Sequence, residues 1–587
     1  MEAGVRNQLL LVLAVVLLIR LPFLNQPIQG DDHIYLSEAA HAQIDPWHPD
    51  DTKYVFRGNA VDLRGQPHPP LDGWVLGALL ALTGDVREVP FHAAFIVFSL
   101  IAAFAMWSLA RRFSERPLWA TLLFLAVPAF VINGNSLETD LPFLAFWMAS
   151  IALFMRRRPL ACVAMALAAL TAYQAVLLTP ILAVYVWLFH RRSAAAWAAI
   201  FVPEVTLAVW QVFERVTTGA FPAAILAGYL HGFETPVNKL HSALALLVHS
   251  WFIVFPALVP GAFWLAWRKR REPDTFFLLA WVALFYASAF TIFFAGSARY
   301  LLPVAAPFAL FASRLRPRWL AAGFAAQLVL ALALSVANYQ HWDGYRRFAQ
   351  TLQPLTAGHR VWIDDGWGLR YYLERQGGLP LTRARPPRPG DIVASTALGR
   401  SIDVNAPLAT IAELSIRPSV PLCLIGLHSG SAYSDASRGL WPFGVACGAV
   451  DVAQAEKILE RHPVLEYLSL TDPRASDHLV SGIWSDRWMS LRGAVLLRSP
   501  VPTLPLSVTF YIPANAPARR ITLLLDGKPI VSETVPGPGL YTLTSPLPLR
   551  PADSTALVEI EVDRAFTAPP DTRELGVVLV GVGFRAS

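Results

Sequence analysis

Cysteine is scarce. Only Cys162, Cys423 and Cys447 occur in 587 residues, which excludes a disulfide framework for a chain of this length. Charge is scarce too. Asp, Glu, Lys and Arg make up 15% of the chain, 55% is hydrophobic and the mean hydropathy is +0.44, whereas a soluble domain is about 25% charged. These shortages exclude a wholly soluble enzyme and a disordered chain. No GxGxxG or Walker sequence occurs, so a nucleotide site has no support. Beyond residue 338 no apolar run approaches the ~20 residues that a helix needs to cross hydrocarbon.

Before that point, long apolar runs alternate with short basic clusters. Arg111, Arg112 and Arg116 form one, Arg156, Arg157 and Arg158 the next. Arg191 with Arg192, then Arg268, Lys269, Arg270 and Arg271, then Arg314, Arg316 and Arg318 follow. The net charge of +6 and pI near 9.2 would suggest nucleic acid for a soluble protein. Here the recurrence at the ends of apolar runs reads as a topology signal, because short Lys/Arg-rich loops stay on the cytoplasmic side; no nucleic-acid partner is expected. Threading the chain with these clusters inside predicts eleven crossings, near 8–24, 89–110, 117–133, 141–155, 160–174, 175–190, 194–213, 244–267, 275–295, 300–314 and 319–338. The run 71–82 is short and follows His68-Pro69-Pro70, and reads as an interfacial helix or an extension of the next crossing. The first run lacks a small-x-small cleavage site before Gln29 and reads as a retained anchor.

The expected fold is a polytopic α-helical membrane bundle of about eleven transmembrane helices, followed by an extracytoplasmic α/β plus β-sandwich region. The expected boundaries are 1–338 for the membrane domain, 339–483 for a small α/β domain and 484–587 for a sandwich. Within the last, Asp526-Gly527 between apolar runs is a hairpin signal. Cys423 and Cys447 both lie outside the membrane domain, where they either pair or remain independent thiols.

Chemistry-bearing residues gather at the outer ends of the apolar runs. The first outer loop, 25–70, holds Asp31-Asp32 within Gly30-Asp31-Asp32-His33-Ile34-Tyr35, close enough to the bilayer for partial desolvation to strengthen a carboxylate base. Asp45, Asp50 and Asp51 read as a hydrated polar loop. His33, His41 and His48 raise the alternative of a divalent metal, but their spacing matches no zinc pattern. A second acidic point, Glu138 and Asp140, lies in a tight outer turn, where Asp140 serves as an N-cap, faces an aqueous cavity, or both. The third is Ser297-Ala298-Arg299-Tyr300. A lone arginine on the outer face is placed either to hold a phosphate by bidentate bonds or to snorkel to lipid headgroups, and Arg20 invites the same two readings.

The order of these elements resembles the GT-C superfamily of polyprenyl-phosphate-sugar glycosyltransferases, the branch with protein O-mannosyltransferases and lipid A aminoarabinose transferases. The resemblance covers roughly residues 8–340. Its matching pieces are Arg20-Leu21-Pro22-Phe23-Leu24, Gly30-Asp31-Asp32 with Tyr35, His68-Pro69-Pro70-Leu71, Asp140 in its turn, and Arg299-Tyr300-Leu301-Leu302-Pro303 with Pro307. It implies an inverting transfer from a polyprenyl-phosphate sugar to a protein, lipid or polysaccharide acceptor. Asp31 and Asp32 would be the catalytic acids, with Asp31 at the base position and Asp32 where Glu is more usual. Arg299, Tyr300 and Arg20 would bind the donor phosphate, and Asp140, Glu138, Tyr173, His68 and Tyr35 the sugar or acceptor. Ala172 stands where related sequences often carry a basic residue. The implied setting is a bacterial inner membrane with the C-terminal region in the periplasm. A lipid-linked sugar transporter or flippase, and a non-catalytic sugar-binding membrane protein, are the alternatives.

Overall fold

Where an apolar run is uninterrupted, the chain forms one long helix; where proline intervenes, it breaks. A computed structural model describes residues 3–586 except 231–234, 293–295, 432, 435–437, 447, 460–462, 515, 568–570 and 572. Among the described residues, Gly4–Phe23, Glu88–Phe113, Pro273–Phe290 and Pro317–Leu355 are long and apolar enough to cross a membrane. The run expected near 117–133 is instead divided into Pro117–Leu125 and Pro128–Asn133, each opening on a proline whose missing N–H is harmless in a first turn. The run near 300–314 opens as the 3₁₀ turn Ala298–Val304, with Pro303 inside it, before Ala305–Ala312. The chain is thus a multi-pass membrane protein with a helical core, in which, among the described residues, these four long apolar helices stand beside shorter apolar ones such as Asp140–Met155 and Leu160–Thr171.

Of the two readings of 71–82, the structure gives the separate helix: Leu71–Thr83 is closed by Gly84 at φ +70 and is not an extension of Glu88–Phe113. The helix expected to stop at 338 runs on to Leu352. Past 338 the apolar residues thin out to Trp342, Tyr345, Phe348, Ala349 and Leu352, all buried and all at helical spacing. The membrane signal therefore ends while the helical signal continues.

The chain divides into two units. One comprises Met1–Tyr54, Val61–Arg347 and Ser415–Val452; the other comprises Val55–Ala60, Phe348–Leu414 and Ala453–Ser587. The second unit is rich in sheet. A mixed five-stranded sheet has the order Leu379–Pro380, Val361–Asp364, Ile392–Thr396, Asp451–Ile458, Leu408–Ile416. Two antiparallel sheets follow and share one apolar core that includes Leu468, Val508, Phe510, Val558, Ile560 and Val582. In one of them, Arg519–Leu525 and Lys528–Val535 are joined by Asp526 and Gly527 at φ +49 and +79, the left-handed pair that a tight hairpin requires. Leu422–Cys423 forms a short strand, paired with Gly444–Val445 inside the segment that belongs to the helical unit. Cys423 is buried, and Cys447 lies outside the described residues.

The helical unit is organised around the turn that follows Pro128–Asn133. Arg20, at the end of the first helix, is fully buried beneath it. Its Nη2 donates to the Phe130 carbonyl at 2.7 Å, and its Nη1 to the Val131 carbonyl at 2.7 Å and to Asn135 Oδ1 at 3.3 Å. Its Nε donates to Ser99 Oγ at 2.8 Å. Gln29 joins the same turn from the loop side: it donates to the Asn135 carbonyl at 3.1 Å and accepts from Asn338 Nδ2 at 2.6 Å. Gly134 leaves room for the guanidinium, since a Cβ there would lie 1.8 Å from Arg20 Nη2. Gly134→Ala is therefore expected to expel the guanidinium from its carbonyls, at about 1–3 kcal/mol for each buried acceptor left unpaired. Thermal unfolding of the purified protein checks this, and an unchanged midpoint would show that the turn does not depend on the arginine.

Candidate functional site

The turn fixed by Arg20 carries the acids of the site. Its residues Asn133, Asn135, Ser136, Glu138 and Thr139 are buried, and Asp140 opens the next helix as its first residue, with Thr139 rather than Asp140 in the capping position. Glu138 reaches back to the first outer loop, where Asp31 N donates to Glu138 Oε1 at 3.2 Å. Gly30 makes that approach possible. Its φ is +46, and a Cβ there would lie 2.7 Å from Glu138 Oε1.

Arg299 enters from the 3₁₀ turn Ala298–Val304 and meets three carboxylates. Its Nη1 pairs with Glu138 Oε2 and with Asp140 Oδ2 at 3.4 Å, and its Nη2 with Asp31 Oδ2 at 3.3 Å. Asp31 keeps 35% of its side chain exposed, against 8% for Glu138 and 11% for Asp140. Asp31 is accordingly the partner that solvent or a ligand can reach. Burial, opposed by Arg299, raises the Glu138 carboxyl well above the usual carboxylate range. Tyr300 follows directly and is buried, with the Arg299 guanidinium 5.9 Å from its ring centre. Tyr35 and His68 adjoin the site: their rings meet edge to face at 5.9 Å, and His68 Nδ1 lies 2.9 Å from Thr139 Oγ1. Burial pulls His68 down to about 4, so it is neutral at pH 7.

Asp32 lies beneath this cluster. Its Oδ2 accepts from Gln29 N at 3.0 Å, and its Oδ1 from Ser136 Oγ at 2.9 Å and Leu137 N at 2.8 Å. It is fully buried, and burial lifts its carboxyl to about 7. The carboxyl therefore ties the loop to the 135–138 turn. Arg20 is likewise not at the site surface: it is fully buried, and each of its three nitrogens donates to Ser99, Asn135 or a backbone carbonyl. Tyr173 is tied to Gln211, whose Nε2 donates to its hydroxyl at 2.7 Å, and leans on Trp210.

Asp50, expected to be hydrated, is buried at 1% exposure. Glu38, Asp72 and Glu214 are buried as well, and both Asp72 oxygens and both Glu214 oxygens have no hydrogen-bond partner among the described residues. Burial pushes Asp50 up to about 7, with Glu214 adding to the effect, and lifts Glu38 well above its ordinary range. Asp72 falls one residue past the motif His68-Pro69-Pro70-Leu71, at a helix start, and that was its only sequence signal. His33 and His48 turn to different partners, Tyr54 and Asp45. Among the described residues, no three His, Cys, Asp or Glu side chains are grouped to hold a metal ion.

Residues 67–213 match the family described as dolichyl-phosphate-mannose-protein mannosyltransferase. This match bears out the GT-C resemblance read from the sequence motifs. No curated protein sequence matches the chain. Among solved structures, ArnT from Cupriavidus metallidurans, bound to undecaprenyl phosphate, is 16% identical. That match covers 67% of this chain and 95% of ArnT, with a TM-score of 0.46. The arabinofuranosyltransferase AftD from Mycobacteria is 13% identical over 98% of this chain and 58% of its own, with a TM-score of 0.39.

The buried acids set a pH dependence. The unfolded chain releases the Asp50 proton near the usual value of about 3.9, whereas the folded chain holds it until about pH 7. The contribution of Asp50 to stability is therefore greatest in acid, falls as the pH rises between those two values and levels off above the second. Asp50→Asn is expected to flatten part of that fall and to raise the unfolding midpoint at pH 8. Unfolding midpoints at pH 5 and pH 8 test this, and an identical slope in variant and wild type would remove Asp50 as its source.

Proposed function

We propose that the chain is an inverting membrane glycosyltransferase that takes a sugar from a polyprenyl-phosphate donor and passes it to an acceptor on the extracytoplasmic face. The observation that carries this reading is Arg299, largely enclosed by Asp31, Glu138 and Asp140, of which Asp31 is the most open to solvent. A guanidinium in a site of low dielectric is a strong, geometrically specific holder of phosphate. The matched family, described by a lipid-phosphate sugar, supports the same donor class.

The arrangement suggests how binding and chemistry are joined. The donor phosphate takes the place of Asp31 on Arg299 Nη2, and Asp31 is thereby released as a base. Burial raises the Glu138 carboxyl, which favours its neutral form and so lowers the negative charge that the phosphate must approach. Asp31 then removes the proton from the acceptor hydroxyl or amine as it attacks the anomeric carbon. The bond from that carbon to the phosphate oxygen breaks, the electron pair leaves with the polyprenyl phosphate, and Arg299 stabilises the charge that develops there. No general acid is needed, because a phosphate monoester is a good leaving group. Tyr35, His68 and Tyr300 line the approach to this cluster in the proposed role of sugar or phosphate contacts. Asp32 and Arg20 act as the frame. We place the enzyme in a bacterial inner membrane, with the sheet-rich unit in the periplasm.

Asp31→Asn is expected to lower turnover by about 10²–10⁴-fold, the range for loss of a general base, while the lipid donor remains bound. Arg299→Ala is expected to lose the donor itself. Mass spectrometry of lipids retained by the purified variants, followed by a transfer assay with whichever sugar is found, tests both. Wild-type turnover in Asp31→Asn would remove it from the base role. A lipid that is transported but never joined to an acceptor would favour a flippase.

A further inference from the structure

The segment Ser415–Val452 belongs to the helical unit, and one residue in it touches both halves of the Arg299 cluster. Tyr433 is buried, packed with Ile132, Ala298, Leu334 and Leu424. Its backbone carbonyl accepts two bonds from the start of the turn that carries Arg299: Ser297 Oγ donates at 2.8 Å and Ala298 N at 2.9 Å. Its phenol donates to Asn133 Oδ1. Asn133 Nδ2 in turn donates to Asp140 Oδ2 at 3.3 Å, the same oxygen that lies 3.4 Å from Arg299 Nη1. The contacts close a ring: Tyr433 carbonyl, Ala298, Arg299, Asp140, Asn133, Tyr433 hydroxyl.

Each link restricts a different freedom. The carbonyl fixes where the Arg299 backbone begins, because Ala298 N is an amide at the head of a 3₁₀ turn that has no partner within it. The hydroxyl fixes the orientation of the Asn133 amide: with Oδ1 committed to the phenol, Nδ2 must face Asp140. An amide oriented in this way holds the Asp140 carboxylate by one bond that does not involve Arg299. Buried bonds of this kind are strong because no water competes for them.

We infer that Tyr433 is a positioning residue for the site: it sets the balance by which Asp140 shares itself between Asn133 and Arg299, and so keeps Arg299 available to an incoming phosphate. Remove the hydroxyl and Asn133 Oδ1 is left buried without its donor. The amide then turns, Asp140 is released to pair fully with Arg299, and an anion must compete with a second carboxylate besides Asp31. The site is complete only with Tyr433 seated, although that residue lies more than a hundred residues along the chain from any other part of the cluster. This inference rests on the phosphate role proposed for Arg299, but its geometric core does not.

The full-length protein in detergent or nanodiscs tests it with two readouts. Tyr433→Phe keeps the carbonyl and the ring and removes only the hydroxyl. Its amide exchange over residues 133–140 is expected to speed up, and its affinity for farnesyl phosphate, a short soluble isoprenoid phosphate, to fall by about fivefold or more. Asn133→Ala breaks the same ring elsewhere, so the double variant is expected to lose no more affinity than the worse of the two single variants. Leu424→Ala, which removes apolar packing from the cluster around Tyr433 and none of the polar ring, is expected to lower the unfolding midpoint while leaving exchange at 133–140 and probe affinity as in the wild type. Unchanged exchange and affinity in Tyr433→Phe, or additive losses in the double variant, overturns the inference. If the wild type binds no farnesyl phosphate, the phosphate role of Arg299 fails instead, and the exchange data alone decide whether Tyr433 holds the turn.

Discussion

One buried guanidinium orders the polar interior of the helical unit. Arg20 takes two carbonyls at the end of Pro128–Asn133 and the side chain of Asn135 just beyond it. The turn it holds then supplies Asn133, Ser136, Leu137, Glu138 and Asp140 to contacts with Tyr433, Asp32, the Asp31 backbone and Arg299. A helix end inside a membrane protein leaves carbonyls that water cannot reach, and these must find donors within the protein. Here the donor comes from the first helix, so satisfying the backbone and placing the acids are a single event. Gly134 and Gly30 are the two points where the backbone gives way, one to the guanidinium and one to the Glu138 carboxylate.

Above that frame, Asp31 and Asp32 show how little distance is needed to separate two roles. The residues are adjacent, yet Asp31 points to Arg299 and solvent, whereas Asp32 is enclosed by two backbone amides and a serine hydroxyl. An acid with three donors and no exposure is a fastener. An acid with one long ion pair and an open face is free to exchange partners. The chemistry proposed for Asp31 depends on that difference.

Much of this was legible from the chain alone. Asp31, Glu138, Asp140 and Arg299 were each placed at an outer helix end by the apolar pattern, and the structure brings these four together. The helical core and the sheet-rich C-terminal part followed from the shift in composition, and the Asp526-Gly527 hairpin from its turn residues. Arg20 was not legible, because its position near a helix end is equally consistent with facing outward to headgroups or inward to carbonyls, and only packing decides. Asp50 looked hydrated because its neighbours are polar; its burial depends on elements that converge from elsewhere in the chain. Tyr433 carried no signal at all. It lies in an irregular segment with no periodicity, and its importance comes from three contacts that are remote in sequence.

The buried acids also alter what the folded chain is as an electrical object. The formal charge of +6 counts every Asp and Glu as ionised, yet Glu38, Asp72 and Glu138 are each held well above their ordinary range, chiefly by burial. The folded chain therefore holds those protons to higher pH than the unfolded chain does, so over the intervening range folding takes up protons from solution and leaves the native protein more positive than its composition states. The native molecule therefore migrates and exchanges as a stronger cation than its sequence pI implies, and it is drawn more firmly to anionic lipid than its unfolded chain would be.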